Sequence, residues 1–206
     1  MATFGDFTPV LERFPKLERL DVRGRYDLEF RPVRHEALKT LRVESCNLPA
    51  EVLRAIAASD LPALERLDVW LGVDDNRVDV AEETDLGAIL TGERLPALRN
   101  LALENSCLQD EIAVQIATAP VVARLRRLSL ARGSFSGRGA EALLAGQPLT
   151  HLEHLDLHHH FLSDAMMDRL RAALPTTEID LDHGRGEWDG PFDEESFTFV
   201  EDGRDF

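Results

Sequence analysis

Leucines recur along this chain in one short pattern, Leu-x-x-Leu-x-(Leu/Val). It appears as Leu17-Leu20-Val22, Leu38-Leu41-Val43, Leu64-Leu67-Val69, Leu98-Leu101-Leu103, Leu125-Leu128-Leu130 and Leu152-Leu155-Leu157. Thr176-Ile179-Leu181 is a weaker seventh copy, and the central residues are 21, 26, 34, 27, 27 and 24 positions apart. Apolar and polar residues alternate within each copy, which predicts a short strand with one buried face. Between copies the apolar spacing becomes helical. Met167, Leu170 and Leu174 fall at i, i+3 and i+7, Ser163 is placed to cap that helix, and Pro175 follows its end. Val52, Leu53, Ile56 and Ala57 predict another helix after Pro49, and Ile112 with Ile116 a further one. Ala140, Leu143 and Leu144 predict one more, with Gly146 expected as its C-terminal cap. A strand and a helix repeating about every 27 residues predict an α/β solenoid, whose units bury their apolar sides only against their neighbours.

The chain resembles the leucine-rich repeat superfamily, in its ribonuclease-inhibitor-like class. The fuller unit Leu38-x-x-Leu41-x-Val43-x-x-Cys46-x-Leu48 carries that class's spacing. The resemblance covers about residues 15–183. It implies a short horseshoe of about seven turns, with parallel strands on the concave face and helices on the convex face. The chain departs from the pattern at the buried polar position, which is Cys46 in one turn but Gly72, Ser106, Gly133 and His160 in others. The C-terminal part, from Leu155-Asp156-Leu157-His158-His159-His160 onward, is similar to small uncharacterised bacterial cytosolic repeat proteins. The domain organisation expected is a repeat domain over 1–183, with a longer insertion at 72–96, and an acidic tail or cap over 184–206.

In such a solenoid the x residues of the strands form the concave surface, where partners bind. Four columns follow from the alternation. The first is Arg19, Thr40, Arg66, Asn100, Arg127, His154 and Glu178. The second is Asp21, Arg42, Asp68, Ala102, Ser129, Asp156 and Asp180. The third is Arg23, Glu44, Trp70, Glu104, Ala131, His158 and Asp182, and the last is Gly24, Ser45, Leu71, Asn105, Arg132, His159 and His183. Trp70 and Leu71 lie mid-array, flanked by Arg66 and Arg127, as in an interface hot spot. Alternatively the 72–96 insertion covers Trp70. The expected partner-binding surface is Arg66, Asp68, Trp70, Asn100, Glu104, Arg127, Arg132, His154, Asp156 and His158, and its expected occupant is another protein.

His151, His154, His158, His159 and His160 fall within ten residues. His154, Asp156 and His158 share one face of one strand, and the next strand offers Glu178, Asp180 and Asp182. Imidazole and carboxylate at alternating strand positions suit a divalent metal, and an open metal position can activate water, so a metal-binding or hydrolytic site is the alternative reading. Ordinary solvated polar residues, or a pH-sensitive patch, are the others. His160, at a core-facing position, is expected to be structural. No nucleotide-binding glycine motif, phosphate loop or Gly-x-Ser-x-Gly elbow occurs, and Gly133-Ser134-Phe135-Ser136-Gly137 lacks the sequence of one. Asp74, Asp75, Asn76 and Asp79 lack the glycine and distal Glu of a calcium loop. A non-enzymatic chain without a cofactor is therefore expected.

Composition narrows the partner. The 206 residues include 23 Lys+Arg and 38 Asp+Glu, for a net charge of −15, which opposes nonspecific nucleic-acid binding and anionic lipid. Residues 182–206 hold nine acids and two Arg, and residues 72–96 seven acids and two Arg, so most of the charge belongs to a tail and an insertion. Two cysteines, Cys46 and Cys107, cannot form a disulfide framework, and a reduced cytoplasmic setting is expected. No signal peptide opens the sequence, and the most apolar stretch, 112–123, is too short for a membrane helix. At the ends, Phe4, Phe7, Val10, Leu11 and Phe14 are expected to cover the first turn. Trp188, Phe192, Phe197, Phe199, Val200 and Phe206 suggest that Ser196–Val200 packs on the last one. A loose acidic tail is the alternative. A third functional reading is a structural or regulatory subunit that makes its contact through the insertion or tail.

Overall fold

A computed structural model describes residues 5–24, 27–72 and 86–182. The 184–206 tail, most of the insertion (73–85), Phe4 and His183 lie outside the described residues.

Each leucine pattern forms a strand. They are β1 (Arg19–Gly24), β2 (Thr40–Ser45), β3 (Arg66–Gly72), β4 (Asn100–Ser106), β5 (Arg127–Ser129), β6 (His154–Asp156) and β7 (Glu178–Asp180). They make one open, all-parallel sheet in the order β1-β2-β3-β4-β5-β6-β7. Its register sets Leu20, Leu41, Leu67, Leu101, Leu128, Leu155 and Ile179 side by side. Just before the strands, the carbonyls of Glu18, Lys39, Glu65, Arg99 and Arg126 each accept two consecutive N–H groups from the next turn. The same junction thus repeats five times.

The helices are α1 (Thr8–Arg13), α2 (Ala50–Ala58), α3 (Gly87–Thr91), α4 (Gln109–Ile116), α5 (Gly137–Ala145) and α6 (Asp164–Ala173), with a 3-10 turn at Pro120–Arg124. Helix α2 contacts α3, α3 contacts the 3-10 turn at Pro120–Arg124, α4 contacts α5, and α5 contacts α6, so these helical segments pack against neighbours in chain order. The core lies between the layers. Leu38, Leu41, Leu64, Leu67, Leu98, Leu101, Leu125, Leu128, Leu152 and Leu155 are all buried in it, together with Ile56, Ile112, Leu143 and Leu170 from the helices.

Ser163 caps α6 as expected, its hydroxyl accepting from the Met166 amide. Gly146 ends α5, but in an extended conformation rather than a left-handed one. A Cβ there would lie 2.4 Å from the Ala117 carbonyl oxygen, so glycine permits close backbone approach instead of a cap. His160 is fully buried and structural. Its Nδ1 accepts from the Leu162 amide and its Nε2 faces the Leu181 carbonyl, which requires the neutral Nε2–H tautomer. His35 repeats the arrangement between the Leu38 amide and the Phe14 carbonyl. At the first turn Phe7 and Leu11 are buried, with Phe7 stacked on Phe30, while Val10 and Phe14 remain exposed. Cys46 is buried and Cys107 half-buried, and neither is in a disulfide.

Candidate functional site

The leucine side of the sheet faces the helices, so the x residues occupy the opposite, open face. Strand register confirms three of the four columns. Arg66, Asn100, Arg127 and His154 are side by side, as are Asp68, Ala102, Ser129 and Asp156. Trp70 pairs with Glu104. The last column does not belong to this surface. Ser45, Leu71 and Asn105 are buried. Side-chain alternation needs extended backbone, and Asn105, Arg132 and His159 have φ of 59°, 61° and 56°, so the chain turns at that position.

Arg66, Asp68, Asn100, Glu104, Arg127, His154 and Asp156 together line a depression of about 160 Å³, with Leu101, Ala102, Leu128 and Ser129 completing its wall. The structure therefore gathers seven of the ten expected residues around one concavity. Arg66 and Arg127 are exposed on its rim, and Asp68 is buried in its floor. Ala102 and Ser129 create the space, because they put small side chains between Asp68 and Asp156 in the second column.

Trp70 does not present an exposed anchor. It is only 6% exposed, its Nε1–H donates to Glu104 Oε2 at 2.9 Å, and the Arg132 guanidinium lies 5.3 Å from its ring centroid. Trp70 is thus tied to the floor through Glu104, with Arg132 stacked on its ring. Ser129 was absent from the expected set, yet its hydroxyl donates to the other Glu104 oxygen, Oε1, at 2.5 Å. Its place in the second column was the available signal.

The charges divide by depth. Arg66 Nε donates to Asp68 Oδ2 at 2.7 Å. Burial nevertheless pushes the Asp68 carboxyl up from its ordinary range, against the lowering by Arg66, Arg42 and Arg19. Burial also raises Glu104, the Ser129 and Trp70 hydrogen bonds oppose it, and the Asp156 and Asp68 charges add to it. Glu104 makes no ion pair among the described residues. Burial pushes Asp156 up as well, but side-chain and backbone hydrogen bonds from His158 outweigh it and leave this carboxyl lowered. The Asp156 hydrogen bond in turn raises His158, against burial. A second hollow, toward the N-terminal end, is lined by Asp21, Val22, Arg23, Arg42 and Glu44. There the buried Glu44 carboxylate is already held by Arg23 and Arg42.

The expected trio of His154, Asp156 and His158 is not the cluster that forms. Asp156 and His158 come together with Asp180 of the next strand, one potential ligand atom from each lying within 4.8 Å of the others. No helix among the described residues is long and apolar enough to cross a membrane.

No protein-family model matches the sequence, and no curated protein matches it either. In three dimensions the chain is similar to a protein of Bacteroides fragilis whose crystal structure was determined as a structural-genomics target. The two share 28% sequence identity and a TM-score of 0.79, over 88% of this chain and 52% of that one. This chain therefore spans about half the length of that neighbour, and what the two have in common is the fold.

Proposed function

We propose that this chain is a leucine-rich repeat solenoid of the ribonuclease-inhibitor-like class, and a non-enzymatic module that binds another protein on the concave strand surface. The observation that carries the reading is the depression lined by Arg66, Asp68, Asn100, Glu104, Arg127, His154 and Asp156 on a sheet face that no helix among the described residues covers. Two exposed guanidinium groups stand over a floor of one buried carboxylate, Asp68, and two half-buried ones, Glu104 and Asp156. Such a surface suits a partner segment of mixed charge, with an acid for Arg127 and a donor that reaches down to Glu104. The floor acids oppose a phosphate backbone, which makes nucleic acid a poor occupant. The reading needs no cofactor and no membrane, and it fits a cytoplasmic protein.

Cross-linking mass spectrometry in native cells names the partner, and reconstitution with the purified partner tests the surface. Arg127 is the residue to change, because it is exposed and makes no ion pair among the described residues. Arg127→Glu is expected to leave the melting temperature unchanged and to weaken the reconstituted complex at least about tenfold, the usual consequence of setting like charges against each other across an interface. Undiminished affinity would remove this face as the binding surface.

A further inference from the structure

The end of the open face nearest β7 carries a different chemistry from the depression. Parallel pairing sets Asp156 directly beside Asp180, and strand alternation puts His158 on the same side two residues later. One potential ligand atom from each of the three lies within 4.8 Å of the other two. Ligands bound to a tetrahedral ion at about 2.0–2.2 Å lie roughly 3.3–3.5 Å apart, so small side-chain rotations close the set.

The carboxylates are also held with an oxygen to spare. Asp156 Oδ1 accepts from the His158 amide at 3.1 Å and faces the His158 ring Nδ1 at 2.6 Å. Asp180 Oδ1 accepts from the Asp182 amide at 3.0 Å. In each, Oδ1 is tied to the chain, while Oδ2 has no hydrogen-bond partner among the described residues. Neither carboxylate forms an ion pair with Lys or Arg among those residues, so two half-buried negative charges sit side by side beside one imidazole. The Arg132 guanidinium, whose charge is felt at His158, lies over the Trp70 ring.

We propose that Asp156, His158 and Asp180 form a site for one divalent transition-metal ion of the Zn²⁺ kind, with solvent completing its coordination. Two carboxylates and an imidazole suit this class better than Ca²⁺, which prefers six or more oxygens. Asp180 takes the place that the sequence pattern offered to His154. The reason is geometric: neighbouring strands bring equivalent positions about 4.8 Å apart, whereas His154 and His158 are four residues apart along one extended strand.

Zn²⁺ itself is the probe. Untagged full chain, freed of metal with a chelator, is titrated with zinc chloride by calorimetry, and equilibrium dialysis with elemental analysis gives the stoichiometry. One saturable equivalent is expected. Asp180→Asn keeps every histidine and nearly the same shape, and it is expected to weaken binding at least about tenfold, as is His158→Gln. His154→Gln and His159→Gln are expected to leave the affinity unchanged. Three results each overturn the proposal: binding well below one equivalent, unchanged affinity in Asp180→Asn, or loss of binding in the His154 or His159 variant. Circular dichroism melting of each variant separates a lost ligand from a lost fold, and Asp180→Asn alone decides if His158→Gln does not fold. Asp156 belongs to both sites, but Arg127 lies only in the depression and Asp180 only in the metal cluster, so Arg127→Glu is expected to titrate normally and the two readings are tested separately.

Discussion

Glu104 shows how one half-buried side chain ties the depression to its support. Its two oxygens accept from Trp70 and Ser129, on the strands to either side, so the carboxylate clamps β3, β4 and β5. Glu104→Ala would leave the indole N–H buried without an acceptor. A cost of about 1–3 kcal/mol is expected for that loss, measured by urea unfolding. Glu104→Gln keeps an acceptor for Trp70 and removes the charge. The sign of its pH effect follows from linkage. Burial raises Glu104 in the folded protein, so the native state holds this proton more tightly than the unfolded chain does. The contribution of Glu104 to stability therefore falls as pH rises from the ordinary glutamate value, 4.5, through the raised folded value. Unfolding across a pH series is expected to show a flatter slope for Glu104→Gln above pH 4.5 than for the unaltered chain. Parallel slopes would contradict a Glu104 carboxyl raised in the folded protein.

At the scale of elements, the units are joined by side chains that cap a neighbour rather than their own helix. Asp110 lies in the first turn of α4, but its carboxylate serves α5. It accepts from the amides of Ser136 at 2.8 Å and Gly139 at 3.0 Å, and from the Ser136 hydroxyl. Ser136 is the N-cap of α5. Asp110→Ala is expected to cost about 1–3 kcal/mol in urea unfolding, because it strands three donors at once, and Asp110→Asn less, because it keeps one acceptor. A cost near zero would mean that water satisfies these donors. Cross-unit caps of this kind were not legible in the sequence. The leucine spacing placed every strand, since a core-facing leucine needs no knowledge of its neighbour. Four helices were legible for the same reason. The partner of Asp110, however, is 26 residues away and is set by how two units stack. The left-handed turns at Asn105, Arg132 and His159 escaped for a related reason. Polar residues with no glycine among them read as a continuing strand, and the backbone turns there in space. Within the candidate site, the columns of charged residues followed from alternation alone. The choice of Asp180 over His154 needed the distance between strands.

For the whole molecule, the parallel strands follow the order of the chain, so among the described residues each inner strand is flanked by its neighbours in sequence, and stability is expected to be distributed along the sheet. The two edge strands differ from the inner ones in this respect. In β1 the alternation runs between exposed and half-buried residues, and β7 has none that is fully buried, whereas Leu67, Leu101 and Leu128 inside the sheet are almost inaccessible. Both edges also carry charge at alternate positions, Arg19, Asp21 and Arg23 on one and Glu178 and Asp180 on the other, which discourages another strand from adding to them. Equivalent leucines should then have unequal energetic weight. Leu67→Ala removes a side chain with 0% exposure from the middle of the sheet, and about 2–5 kcal/mol of destabilisation is expected. Leu20 occupies the same place in its own unit but is only half-buried in β1, so Leu20→Ala is expected to cost well under half as much. Hydrogen exchange should follow the same order, with the β1 amides opening at lower free energy than those of β3 and β4. Equal costs at Leu20 and Leu67 would require that the array unfold as one block, with its first strand held as tightly as its centre. A graded cost would show instead that the depression, on β3 to β6, stays formed while the first edge opens, so that the candidate binding surface rests on the most stable part of the chain.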